Sequence, residues 1–518
     1  MTIIRIAAIL AAAAMTAACD SGHSGPDDAG VDDGRQDAAM DELPDEVVVS
    51  GCPDRLSPLE PMGELVVVGD ATASSCTAEA LVQAVDTINA AQDGGTIMFS
   101  CGGEHTITLE SALAVSAPLM IDGEDFITLS GGEAVRVLDL DHYTDLVVQR
   151  ITIADGKTEE SGAGIHHPWY GTLKAIDVTF TNNLCTSLDH DIGGGAVFAG
   201  GLSEAVFSGC IFTDNSASNG GGLLNRGSNL TIVDCVFTGN RSTSWADGGQ
   251  YGNGGGLYID GMNYDDPGDL RLCGTVFEGN HANQHGSAVF SYFYEGSRSF
   301  IDRCLLRGND FDDSPTGGAG GLYHQAVHLT LTNSTIADNR SDKHAAGLFI
   351  GSGSTADIIN CTFSGNEVPE VGAALFAGSN RVAIINCTFA GNDADYGPAI
   401  FKGEDGSISI ANTIFAYNTT PNQYSALSCH DTLEDNGGNI QWPDTKNSGA
   451  PDTPCAEGIV FADPMLQPLG DNGGPTPTMA LFEGSPAIDV SDDCPETDQR
   501  GVERAGQCDA GAFEYQPE

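Results

Sequence analysis

The chain has 518 residues, 67 of them glycine, with 20 Lys and Arg against 73 Asp and Glu, a formal net charge of −53. So acidic a surface repels phosphate backbones, which argues against nucleic-acid binding; it draws divalent cations or basic partners, and its plainest use is solubility. Length alone suggests about three globular domains, an estimate that a repeat growing in one dimension escapes.

The first residues read as an export signal. Arg5 precedes the apolar run Ile6 to Ala14, followed by Met15-Thr16-Ala17-Ala18-Cys19. A basic start, a short apolar stretch and small residues before a cut make 1–18 the expected signal peptide. The run is too short to cross a bilayer in the mature protein. Small residues before a cysteine resemble the lipobox of bacterial lipoproteins, with Thr16 where Leu is usual. The resemblance implies acylation of Cys19, which would become the first residue and join the protein to a membrane. Residues 19–50 then read as a tether. Positions 20–50 hold ten acids and one base, Arg35, too little apolar surface to fold and enough like charge to extend.

Residues 51–104 read as an N-terminal cap, with an amphipathic helix over 77–91 and the first strands at 96–99 and 106–109. From 105 to 420 one pattern recurs: a Phe-like residue, two spacers, then Asn. Its asparagines are Asn183, Asn215, Asn240, Asn280, Asn309, Asn339, Asn366, Asn392 and Asn418, spaced by 32, 25, 40, 29, 30, 27, 26 and 26 residues. A small residue stands two positions before each Phe-like one, on the same strand face. A second pattern precedes the first in nearly every coil: small residues, an aliphatic, then usually an aromatic, as in Gly255-Gly256-Leu257-Tyr258 and Gly320-Gly321-Leu322-Tyr323. Each coil thus offers at least two short strands.

No single coil can build its own core, so coils must stack, like on like, about 4.8 Å apart. The predicted fold is all-β, a right-handed parallel β-helix of roughly ten to twelve coils, a rod of about 50–60 Å. Its asparagines form a ladder, each amide donating to one neighbour and accepting from the other. A propeller would need longer blades, and the glycine-rich nonapeptide that binds Ca²⁺ is absent. The seven Asn-x-Ser/Thr sequons read as by-products of the repeat. Residues 421–518, where the pattern lapses, read as a loop-rich C-terminal cap covering the open end.

Without Cys19 there are 14 cysteines, an even number in an exported chain, so disulfides are expected. The proposed pairs are Cys76–Cys101, Cys429–Cys455 and Cys494–Cys508. Cys210, Cys235, Cys304, Cys361 and Cys387 share a column with Val, Thr and Ser and read as small packing residues.

These coils resemble polymorphic outer-membrane protein repeats and the wider pectin-lyase-like group over roughly residues 95–420, which speaks to fold and little to function. The C-terminal cap resembles the choice-of-anchor Q domain of bacterial surface proteins. The matching blocks run 471–478 (DNGGPTPT), 484–489 (GSPAID), 498–501 (DQRG) and 508–515 (CDAGAFEY). That resemblance carries no catalytic residue; Asp489, Asp498 and Arg500 within it suit an ion-pair network.

Candidate chemistry lies in two places. His166 and His167, ahead of Trp169 and Tyr170, neighbour Asp189 and Asp191 in the next coil, and aromatics beside acids suit sugars, while paired carboxylates suit glycoside hydrolysis. Tyr251 and the loop carrying Asp265, Asp266 and Asp269 form the second, whose carboxylates suit Ca²⁺ without EF-hand spacing; no other cofactor is expected. His324 reads as a surface residue. The reading preferred is a non-catalytic lipoprotein of the outer membrane or cell surface, presenting a rod to a polysaccharide or surface protein. A polysaccharide lyase or glycoside hydrolase is the alternative.

Overall fold

The computed structural model describes residues 51–517 apart from 92, 190, 244–251, 262–267, 295, 312–317, 379–380, 405 and 505. The signal peptide, Cys19, the tether, His190, Tyr251, Asp265 and Asp266 lie outside the described residues.

Every named strand pairs in parallel with its equivalent one coil away. Three sheets form the faces. Sheet A has 14 strands, from Glu64–Val68 to Glu434–Asp435; sheet B has 14, from His105–Thr108 to Val460–Phe461; sheet C has 11, from Leu113–Val115 to Ile400–Lys402. A fourth row, sheet D, stacks six two-residue strands from Lys157–Thr158 to Asp310–Phe311. One coil therefore runs A, B, D, C, and the two strand patterns visible in the sequence account for only part of it. Fourteen strands make 13 steps, about 62 Å at ~4.8 Å each, longer than the ten to twelve coils expected. The stack begins before residue 105 and passes 420 because pairing asks only for extended backbone in register. Ile440–Trp442 pairs with Ile414–Ala416 although Gln441 replaces the phenylalanine of the motif.

Alternation by two sorts each strand into core and surface. Phe180, Phe212, Phe237 and Phe277 are fully buried in sheet B and stack at 4.7, 4.3 and 4.7 Å between ring centroids. The aromatics of sheet C face outward and form their own stack, Tyr258, Phe290, Tyr323, Phe349, Phe376 and Phe401, at 4.8–5.2 Å. The same alternation corrects His324. With Leu322 inside and Tyr323 outside, His324 points inward, fully buried between Ser291 Oγ at 3.2 Å and the Val327 carbonyl at 3.1 Å. Burial pushes its pKa down to about 4, so the ring is neutral.

The asparagine ladder is continuous over all eight steps from Asn183 to Asn418. Asn309 is representative. Its Nδ2 donates to Asn339 Oδ1 (2.9 Å) and to the Phe277 carbonyl (3.0 Å), and its Oδ1 accepts both the backbone N–H (2.9 Å) and Nδ2 (3.0 Å) of Asn280. The small column beside it makes a second ladder. Cys210 N donates to Cys235 Sγ, Cys304 N to Ser334 Oγ and Cys361 N to Cys387 Sγ. Cys, Ser and Thr interchange there because each offers a compact acceptor, and these five cysteines are free and buried.

The helix spans Ala78–Asn89, capped by Thr77, whose side chain accepts from Ala80 N; Leu81, Ala84, Val85 and Ile88 are its buried face. Cys76–Cys101, Cys429–Cys455 and Cys494–Cys508 are bonded, and so is a fourth pair, Cys52–Cys273, 221 residues apart. That bond ends a strap. Residues 52–62 run along the outer edge of sheet A and are held by their backbone. Leu56 N donates to Ser208 Oγ, Leu59 exchanges hydrogen bonds with the Gln149 amide through its N–H and carbonyl, and Met62 does the same with Thr96 Oγ1. The side chains beneath, Thr96, Gln149, Ile176 and Ser208, are buried within 4 % of full cover.

The C-terminal segment folds back in the same way, onto the outer face of sheet B. Thr335 Oγ1 donates to the Pro477 carbonyl, Thr362 Oγ1 to Gln499 Oε1, and Ala512 N to Thr388 Oγ1. The two-residue turns between sheets A and B begin on a residue of positive φ, which Asn tolerates. Asn360, Asn386 and Asn412 occupy them, and their amides grip the Thr497, Asp509 and Asp493 carbonyls. Asn360 and Asn386 begin two of the sequons, and the ladder's Asn240, Asn339 and Asn418 begin three more, so these five are at most 4 % exposed.

Polar pairs lock this segment. Asp498 pairs with Arg500 at 2.7 Å, whose guanidinium lies 3.6 Å over the Phe513 ring; Arg504, 1 % exposed, pairs with Glu514 at 2.9 Å. Asp489 enters through its backbone N–H, which donates to Asp509 Oδ1. Burial pushes the Asp509 carboxyl up to about 6. A raised carboxyl stabilises the fold fully below its unfolded value near 4, and that contribution is lost as pH rises through 6. The melting temperature of the wild type relative to Asp509→Asn should therefore fall between pH 4 and pH 7. A difference that stays flat across that window would refute the assignment.

Candidate functional site

The corner where each coil passes from sheet C to sheet A gathers exposed aromatics and charges that are far apart in sequence. Register sets them in line. Leu138, Ile165, Val197, Leu223, Leu257 and Val289 are stacked equivalents, and Tyr143, Tyr170 and Tyr294 follow the strands of three of these coils into the corner. Tyr143 and Tyr170 stack at 4.5 Å with 9° between planes and are 72 % and 49 % exposed. Trp169, 38 % exposed, lies flat over Gly201 of the next coil, where a Cβ would run into its ring. Tyr294, 39 % exposed, covers Gly261 in the same manner. Both glycines have positive φ, so they serve the turn and the close ring approach at once.

Between the aromatic ends stands Arg226. Its Nη2 is 3.1 Å from Asp191 Oδ1, and its Nε 3.9 Å from Asp260 Oδ2. Arg226 and Asp260 are paired across sheet C, and Asp191 comes from the loop preceding the strand Val197–Gly200. Burial raises the Asp260 carboxyl above its ordinary range and Asp191 adds to this, while Arg226 opposes. The corner thus holds two carboxylates around one guanidinium, one of them easier to protonate than usual.

The residues singled out in the sequence are divided by the fold. His166 faces outward, 2.8 Å from Asp139 Oδ1 and stacked on Phe198. The hydrogen bond from His166, with Arg136 alongside, holds Asp139 below the usual carboxylate range. His167, the next residue on the strand, points into the core, is fully buried and is kept neutral by that burial. The two histidines therefore cannot serve one surface site. Asp189 Oδ1 accepts from the backbone of Asp191 in an exposed turn; only Asp191 reaches the corner.

Of the three carboxylates expected at the second cluster, Asp269 alone is among the described residues. Asp269 lies on the strand Asp269–Cys273, held by Arg298 at 2.8 and 3.1 Å and by Arg271 at 2.6 Å. Among the described residues no group of three His, Cys, Asp or Glu side chains is placed to hold a metal.

Arg226, Asp260 and Tyr294 escaped the sequence reading, although a signal was present. Arg226 and Asp260 stand three positions after the first aliphatic of the sheet C pattern, which alternation places outside. The profile of the family described as "Right handed beta helix region" matches residues 152–336 and 250–436. No curated protein matches the sequence. With more than half of the chain so covered, in parallel coils of the kind described, the protein belongs to the right-handed β-helix family.

Proposed function

We propose that the protein is an exported, membrane-anchored rod that binds glycans at the corner between sheets C and A without cleaving them. The observation that carries this reading is the row of exposed rings, Tyr143, Tyr170, Trp169 and Tyr294, bracketing the Asp191–Arg226–Asp260 set. Flat aromatic faces take the apolar faces of sugars, and a few fixed polar groups take their hydroxyls. Exposed aromatic clusters mark interaction sites more often than chance. Anchoring rests on the lipobox-like Cys19 and on the resemblance of the C-terminal region to a surface-protein domain. Among the described residues no helix is long and apolar enough to cross a membrane.

The test is binding of the full chain to immobilised polysaccharides. Tyr143→Ala, at a 72 % exposed position, should weaken binding about tenfold while leaving the melting temperature within a degree or so, since surface changes cost little. Unchanged affinity in Tyr143→Ala would sink the assignment to this corner. A second reading, glycoside hydrolysis, is favoured by one observation: a carboxyl raised by burial, Asp260, stands across a guanidinium from a second carboxyl, Asp191, and paired carboxyls are what such hydrolysis uses. New sugar ends that vanish in Asp260→Asn would replace the first reading with it.

A further inference from the structure

From the same corner we infer the class of glycan and its direction: a linear, uncharged polysaccharide lying parallel to the rod axis, touching both aromatic ends at once. This rests on the glycan-binding reading and goes further in naming the ligand's charge, orientation and minimum length.

The direction follows from register. Tyr143 and Tyr294 belong to coils five steps apart, through the strands that begin at Leu138, Ile165, Val197, Leu223, Leu257 and Val289. Five steps at ~4.8 Å place the two aromatic ends about 24 Å apart along the axis. An extended sugar chain advances by roughly one unit per coil at that rise. A chain running around the rod would meet only one end.

The charge follows from the pairing between those ends. Between those ends Arg226 already faces Asp191 and Asp260, and Arg298, past Tyr294, is already paired with Asp269. Asp141, exposed at the matching position of an earlier coil, adds a third carboxylate. An acidic polysaccharide would meet net repulsion there, over and above that of a chain carrying −53. Hydroxyl groups, by contrast, can donate to the carboxylates and accept from the guanidinium without separating the ion pairs.

The experiment is a length series of neutral linear oligosaccharides titrated against the full chain, with acidic and amino-sugar polymers in parallel. Affinity should rise at least tenfold once the oligomer spans about 24 Å and change little beyond. In Tyr294→Ala that rise should disappear, leaving affinity nearly independent of oligomer length. Intact melting behaviour of the variant shows that the rod has folded. A smooth dependence on length, or a rise that survives Tyr294→Ala, overturns the axial placement and leaves glycan binding standing. Tighter binding of acidic or amino-sugar polymers overturns the uncharged class. No binding by any polymer defeats the glycan-binding reading itself, and this inference with it.

Discussion

Replacing Asn309 with Leu should cost roughly 4–6 kcal/mol, among the largest losses any single side chain of the rod can produce. Asn309 is fully buried, and its amide satisfies groups on two neighbouring coils. Leu leaves the Asn280 backbone N–H and Nδ2 without their acceptor and the Phe277 carbonyl without its donor. Each orphaned group costs about 1–3 kcal/mol. Asn309→Asp separates the ladder from simple volume. One carboxylate oxygen can still accept from Asn280, but the other would face the Phe277 carbonyl and Asn339 Oδ1, both acceptors. A buried unpaired charge is worse than an apolar group, so at neutral pH Asn309→Asp should destabilise more than Asn309→Leu, and acid should relieve part of it. Chemical denaturation of both variants at pH 7 and pH 5 measures this. An Asp variant as stable as wild type at pH 7 would mean that the amide hydrogen bonds carry little of the rod's stability.

What could be read in the sequence divides along one physical line. A period is visible in sequence, and whatever repeats every coil was legible: the Phe stack, the asparagine ladder, the small column, the coil-on-coil architecture. Cys76 and Cys101 or Cys429 and Cys455 are about one coil apart, and so could be paired by eye. Features that depend on register between coils of 25 to 40 residues were hidden. His167 and His324 were misplaced because a single step along a strand reverses the face. Trp169 and Tyr170 could be seen as candidates, but Tyr143 and Tyr294 join them only after six strands are aligned. Asn360 and Asn386 looked like remnants of the repeat, and their grip on the C-terminal segment depends on chain more than 120 residues away. Cys52–Cys273 spans 221 residues, and no periodicity could have offered that pairing.

That disulfide should act as the clasp of the N-terminal strap, and opening it should expose the chain at Arg55. Gln149 and Cys273 are four register steps apart through Ile176, Ser208 and Val233, about 19 Å. Seven residues from Cys52 to Leu59 cover that distance only when nearly extended, so the strap has little slack and is held at both ends. Between Cys52 and Gln149 it has the Leu56 N–H on Ser208 Oγ and the half-exposed Arg55–Asp177 pair. A hydrogen bond of this kind is worth about 1 kcal/mol and an exposed ion pair less. The disulfide closes a loop of 221 residues, and on the chain-entropy account it contributes up to about 5 kcal/mol. In Cys52→Ser the strap should fray from its free end toward Gln149, and trypsin should cut after Arg55 at least tenfold faster than in the oxidised wild type. Gly209→Ala reaches the same end by another route, since a Cβ there would run into the Arg55 guanidinium while the disulfide stays closed. It should loosen Arg55 without releasing Cys52, giving an intermediate cleavage rate. Equal rates in wild type and Cys52→Ser would show that the backbone hydrogen bonds alone hold the strap, and that the covalent clasp stabilises the rod only through its unfolded state.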